Sequence, residues 1–264
     1  MKIHPFTFIL TILAVLIVCL SPFVRKAQKS ADRSKVTCNL KKTGIMIAEF
    51  EHQYGHRPLP DTKIDFPIPY PQRNRTDSNA ILGQLIASGI CDTEKIFVLN
   101  LDPYPSDLSD DNYSSASEIL KAGECHFTYI TNQNDNQESP ESGALPVLIT
   151  HFVPGTSRLD PQIFDHHAAY LTLDSSVAIC KVTPEGNALV KGRGNLGLFD
   201  HGPDTLWGDF DPKLHHPLPF EQSSHHGTFI PYPLSIILYP IMIYLLFRFL
   251  LTVKGQLKRQ QSVG

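Results

Sequence analysis

Apolar and polar positions divide this chain into two continuous apolar blocks near its ends and a middle where short apolar runs alternate with polar stretches. The first block, Phe6 to Val24, holds 19 residues without a charge. At the helical rise it would reach about 28 Å, close to the hydrocarbon thickness of a bilayer, so the pattern predicts a membrane-spanning helix. From Ser30 to Tyr54 helix formers dominate and no proline interrupts them. Val36, Leu40, Gly44, Ile47 and Tyr54 fall near one face at helical spacing, with Ile45, Ala48 and Phe50 widening it. Gly55 followed by Pro58 and Pro60 predicts the stop. The expectation is one long helix, its first half in lipid and its second half packed on a domain.

Beyond it, Asp61–Asn74 is proline-rich and reads as a loop. Asp77 or Ser78 is placed to cap a helix burying Ile81, Leu82, Leu85 and Ile86 and ending at Gly89. Ile96–Leu99 is a short apolar run, expected as a strand, and Ala116–Lys121 a helical turn closed by Gly123. Four strands are expected at His126–Thr131, Leu145–Thr150, Ala169–Leu173 and Val177–Val182, the last two joined through Asp174-Ser175-Ser176 as a hairpin. Gly186–Gly197 is glycine-rich, and Asp200–Pro219 is expected as loop anchored by Trp207 and Phe210.

The second apolar block, Phe229 to Val253, carries Arg248 near its end and Pro231, Pro233 and Pro240. It is long enough to span with some tilt. The division expected is an anchor over 1–24, a water-exposed domain over 25–228, a second membrane helix over 229–253 and a basic tail over 254–264. Lys254, Lys258 and Arg259 follow the second block, which places that tail in the cytoplasm and, with two spans, the domain outside. Arg25, Lys26 and Lys29 after the first block argue the other way; the asymmetry at the second is unopposed and decides. No A-x-A site follows the first block, so an uncleaved anchor in the cytoplasmic (inner) membrane is expected.

Charge adds that residues 43–228 hold 25 Asp and Glu against 11 Lys and Arg. Such a surface is a poor match for nucleic acid and suits cationic partners. Cys38, Cys91, Cys125 and Cys180 show no metal or redox spacing and leave two readings open, disulfides or buried thiols.

These elements and several short segments carry a resemblance. Asn39-Leu40-Lys41-Lys42-Thr43-Gly44, the following helix and Tyr54-Gly55-His56-Arg57-Pro58 are similar to the helix end of type IV pilins and type II secretion pseudopilins. Ser78-Asn79-Ala80, Glu94-Lys95-Ile96-Phe97, the Lys121–Tyr129 segment, Leu145–Ile149 and Ala169–Val182 also resemble that group, in order, over about residues 6–190. The resemblance implies an α+β fold, a long helix packed on a small antiparallel sheet, to which this chain adds a C-terminal membrane helix. It departs from the family where Phe6 follows Pro5 instead of glycine, where Leu10 replaces the buried glutamate of the filament, and where Ser175 replaces the glycine of the hairpin turn. Those departures, with a second anchor, point to a pilin-like domain retained at the membrane, its partners being lipid and other pseudopilin or secretion-system subunits.

Chemistry is sparser. Asp102, Asp107, Asp110 and Asp111 with Asn112 are oxygen ligands of the kind calcium prefers, and the resemblance adds that calcium occupies a loop in some pseudopilins. Asp165, His166 and His167 form a second metal candidate, although neighbours along a strand face opposite ways. No G-x-S-x-G or phosphate-loop pattern occurs, and Gly192–Gly197 matches G-x-G-x-x-G by letter only, since it leads towards Pro203 and no helix. No catalytic residue and no cofactor are expected. The reading is a structural or interaction protein, accessory to a type II secretion or pilus-like system; the alternative is a membrane-tethered ligand-binding or enzymatic domain with Asp102–Asn112 and Asp200–Pro219 as its loops.

Overall fold

A computed structural model describes residues 5–60, 62, 65–68, 70, 75–99, 110–111, 118–132, 144–150, 152–153, 156–190 and 196–219. Two compact units divide the chain, and residues 29–222 form the one that contains the sheet. The helix α1 (Pro5–Tyr54) begins in the other unit and supplies its residues from 29 onward to this one.

Among the described residues no helix is long and apolar enough to cross a membrane. Of the first apolar block, α1 is described in its backbone, and the side chains of 5–15, 17 and 18 are not among those described. The second block, 229–253, and the tail, 254–264, lie outside the described residues. The coarse expectation of an α+β fold, with one long N-terminal helix and an antiparallel sheet, is what the structure shows.

Within the larger unit, α2 (Ser78–Ala87) starts where Asp77 accepts a hydrogen bond from the Ala80 amide, and it ends before Gly89, which adopts φ +77°. That conformation suits glycine alone without strain. The six strands are β1 (Phe127–Asn132), β2 (Pro146–Thr150), β3 (His167–Thr172), β4 (Val177–Val182), β5 (Ala188–Leu189) and β6 (Pro212–His215). They form one sheet in the order β5-β4-β3-β2-β1-β6, every pair antiparallel. The first five strands meander, and β6 returns to lie beside β1.

The pleat sorts side chains to two faces. Tyr129, Leu148 and Leu171 are directly opposed across β1, β2 and β3. They join Leu40, Ile47 and Phe50 of α1 and the apolar face of α2 in one core. Ile149 and Tyr170, one position along, belong to a second core with Cys180, Leu198 and Trp207 on the opposite face. Both faces of the sheet are therefore covered, one by helices and the other by the chain after β5. A register shift between Pro146 and Leu148 lets both Val147 and Leu148 join the helical side. Gly44 of α1 faces β3 at close range: a Cβ there would stand 2.8 Å from Leu171 Cδ1.

Several expectations need correction. Ile45 and Ala48 do not widen the buried face of α1; Ile45 is 65% exposed, and Thr43 is buried in the interior instead. Ile96–Leu99 is no strand. Thr93 caps a 3-10 turn at Glu94–Ile96, and the run then borders His126. His126 Nδ1 accepts the Leu99 amide at 2.8 Å while the His126 amide donates to Phe97 O, so a ring nitrogen stands where a ladder would offer a carbonyl. Asp200–Pro219 is not all loop, because β6 within it pairs with β1 through Tyr129–His215 and Ile130–Leu214. The cysteines are thiols: Cys91, Cys125 and Cys180 are buried and free, and Cys19 and Cys38 are exposed and free.

Candidate functional site

The most distinctive chemistry is a group of carboxylates at the entry to β1. It is assembled by three short segments. The 3-10 turn presents Glu94, whose backbone amide donates to Asp111 Oδ1 at 2.9 Å; Thr93 Oγ1 donates to the same oxygen at 3.0 Å. The turn at 118–121 is held from below by Asn79 of α2, whose Nδ2 donates to Leu120 O at 3.0 Å and Lys121 O at 2.7 Å. Leu120, forced to φ +46°, aims its amide at Glu94 Oε1, 2.9 Å away. Glu124, at the far side of that turn, accepts the Lys121 amide.

Oxygens of Glu94, Asp110 and Glu124 thereby come within 4.8 Å of one another. Glu94 is 0% exposed and Glu124 is buried, while Asp110 lies at the surface. Around the rim, Lys121 Nζ contacts Asp110 at 2.9 Å and also pairs with Glu118, and Lys95 pairs with Asp111. Five carboxylates thus meet two ammonium groups. Glu94 Oε2 has no hydrogen-bond partner.

The electrostatics follow from that arrangement. Burial raises the Glu94 carboxyl most, the Leu120 amide pulls it back, and the charges of Glu124, Asp110 and Asp111 push it up again, to about 7. Glu124 is raised chiefly by burial, against the bond from the Lys121 amide. Burial also works to raise Asp111, but the bonds from Lys95, the Glu94 amide and Thr93 outweigh it and hold Asp111 below the ordinary range. Lys121 is shifted upward by its bonds to Glu118 and Asp110. Two carboxyl groups raised above the ordinary range, Glu94 and Glu124, thus stand beside one held below it, Asp111, a contrast that marks this cluster as a candidate functional site.

Of the residues singled out from the sequence, Asp110 belongs to this group and Asp111 supports it by fixing the Glu94 backbone. Asp102, Asp107 and Asn112 lie outside the described residues. His166 and His167 are not brought to any metal-like cluster among the described residues. His166 takes a left-handed backbone at the start of β3, and His167 Nδ1 contacts Asp165 O at 2.6 Å, a turn-closing role. Glu94 and Glu124 escaped sequence reasoning. No local signal marks them, because the contacts that bury Glu94 come from the turn at 118–121, distant in sequence.

The other polar centre of the unit is structural. His215 bridges Thr76 O and Thr131 Oγ1, at 2.5 and 2.8 Å, and Ser78 ties His215 O to the Tyr129 amide. These bonds staple β6 and the start of α2 to β1. Compared with known protein families, curated proteins and solved structures, the chain shows no match.

Proposed function

We propose that this protein is a pilin-like, membrane-tethered interaction protein. Its acidic head would be presented on the N-terminal helix, and it would serve a secretion or pilus-like apparatus as an accessory subunit. One observation carries the reading. The same helix, α1, has an uncharged run over residues 6–24 and, in its second half, a face of Val36, Leu40, Ile47 and Phe50 buried against an antiparallel sheet. A helix that is apolar all round in one half and one-sided in the other suits lipid in the first half and a packed domain in the second.

The second apolar block would return the chain to the membrane, with Lys254, Lys258 and Arg259 on the cytoplasmic side. Leu10 in place of a filament glutamate, and a second anchor, favour a subunit that stays in the bilayer over one that is drawn into a fibre.

The test is topological and biochemical together. The full chain should require detergent for extraction, and added protease should digest the 29–222 unit in spheroplasts, whose outer membrane is opened, but spare it in inverted vesicles. Detergent-solubilised, tagged chain should retain secretion-system subunits. Recovery of the full-length chain in the soluble fraction, or protection of the head in spheroplasts, would overturn the proposal.

A further inference from the structure

We propose that Glu94, Asp110 and Glu124 form a binding site for a hard divalent cation, calcium in preference to magnesium. The inference stands on two independent observations. Three carboxylate oxygens from separate segments converge within 4.8 Å. One of them belongs to a fully buried side chain whose Oε2 has no hydrogen-bond partner. A buried carboxylate oxygen without a donor is costly, and it persists where something else satisfies it.

The chemistry narrows the ligand. Every side-chain donor is an oxygen, which selects a hard cation over zinc or copper. Three carboxylates from irregular segments suit calcium, whose coordination is flexible, better than magnesium, which demands near-octahedral geometry and usually keeps several waters beside one or two carboxylates. Lys95 and Lys121 offset the rim charges of Asp111, Asp110 and Glu118, yet neither supplies a partner to Glu94 Oε2. Excess negative charge remains, and a divalent ion would offset most of it. Waters would complete the shell, as calcium takes about six to eight oxygens.

The position gives the site a structural consequence. Glu94 lies on the 3-10 turn, Glu124 stands three residues before β1, and Asp110 lies in the segment between them. A bound ion would therefore cross-link the start of the sheet to the connection from α2. Binding to the folded state alone stabilises it by mass action.

The test uses the full chain in detergent, stripped with a chelator and dialysed, then titrated with calcium chloride and separately with magnesium chloride at pH 8. One calcium per chain is expected, with a rise in Tm of about 8 °C at a hundred-fold excess over Kd. Magnesium should bind at least tenfold more weakly. Glu94→Gln keeps the acceptor for the Leu120 amide and places an N–H₂ towards the other carboxylates. It should abolish the calcium response while leaving the metal-free Tm at pH 8 equal to or above that of the unaltered chain, a combination that simple loss of structure would not give. Should that variant fail to fold, Glu124→Gln carries the same comparison. No calcium binding at 1 mM, binding that survives Glu94→Gln and Glu124→Gln, or magnesium binding as tightly as calcium would each overturn the proposal.

Discussion

Replacing Gly44 by alanine sets two effects of known size against each other and tests whether α1 lies on β3 as described. In an exposed helix interior, glycine to alanine stabilises by about 1 kcal/mol, because alanine loses less backbone freedom. Here the added Cβ would meet Leu171 Cδ1 at 2.8 Å and Cδ2 at 3.3 Å. Leu171 is buried beneath α1, so its methyl groups must shift within the core to admit the Cβ. Overpacking of this kind costs about 1–3 kcal/mol, which exceeds the propensity gain.

The expected net effect of Gly44→Ala is a loss of about 1 kcal/mol, or about 3 °C in Tm for a unit of this size. Thermal unfolding of the detergent-solubilised chain, followed by circular dichroism, reads it. A second background makes the test decisive. Leu171→Ala on its own should cost about 2–5 kcal/mol through the cavity it leaves. In that background the obstacle to a Cβ at 44 is gone, and Gly44→Ala should stabilise by about 1 kcal/mol. The substitution thus reverses sign between backgrounds, a coupling expected only of residues in contact. If Gly44→Ala stabilises equally in both, α1 does not pack on β3 at this point, and the helix-on-sheet arrangement is wrong.

Three further outcomes can be checked on the same preparation. In the presence of chelator, His126 and Glu94 should pull stability in opposite directions with pH. Burial lowers His126 to about 4, so the unfolded chain binds the extra proton between about 4 and 6.5 and stability falls by up to about 3 kcal/mol as pH drops through that window. Glu94, raised to about 7, takes its extra proton in the folded chain, and its contribution is lost as pH rises from about 4.5 to 7. Glu94→Gln should therefore unmask a stability that climbs steadily from pH 4 to 6.5, and an unchanged profile would refute the assignment. Trp207, the one tryptophan of the chain, is buried and donates through Nε1 to Leu198 O at 2.9 Å. Trp207→Phe should cost about 2–3 kcal/mol by orphaning that carbonyl and leaving a void, and native emission should be blue-shifted and shielded from acrylamide. Ser175 occupies the left-handed region at φ +62° in the β3–β4 turn. Ser175→Gly should raise stability by about 0.5 kcal/mol, read as a small increase in Tm.

Legibility along the chain followed the range of the forces involved. The helix over Ser30–Tyr54, the cap at Asp77 and the four central strands were readable, because spacing, capping and turn chemistry act over a few residues. Ile96–Leu99 misled for a long-range reason: its ladder partner would be the segment at 126, and His126 offers a ring nitrogen where a strand needs a carbonyl. The strand at Pro212–His215 was hidden among prolines, histidines and charges, since a four-residue edge strand needs only one paired side and draws its stability from β1. Ile45 illustrates the limit of periodicity. It sits within reach of the apolar stripe by angle, yet it is exposed, and only packing reveals where the buried face ends.

The carboxylate site marks the point where local reading gives out altogether. Nothing near Glu94 in sequence buries it; what does so is the turn at 118–121, and that turn is held by Asn79, forty-one residues before Leu120. Asn79 in turn accepts the Leu218 amide at 2.8 Å through Oδ1, so one side chain on α2 ties the acidic turn to the segment after β6. A charge at position 94 therefore becomes buried only when α2, β1 and β6 have assembled. On the proposal above, an ion that removes the cost of that burial would act on the assembled head, and its strength should be read in the unfolding of the whole unit.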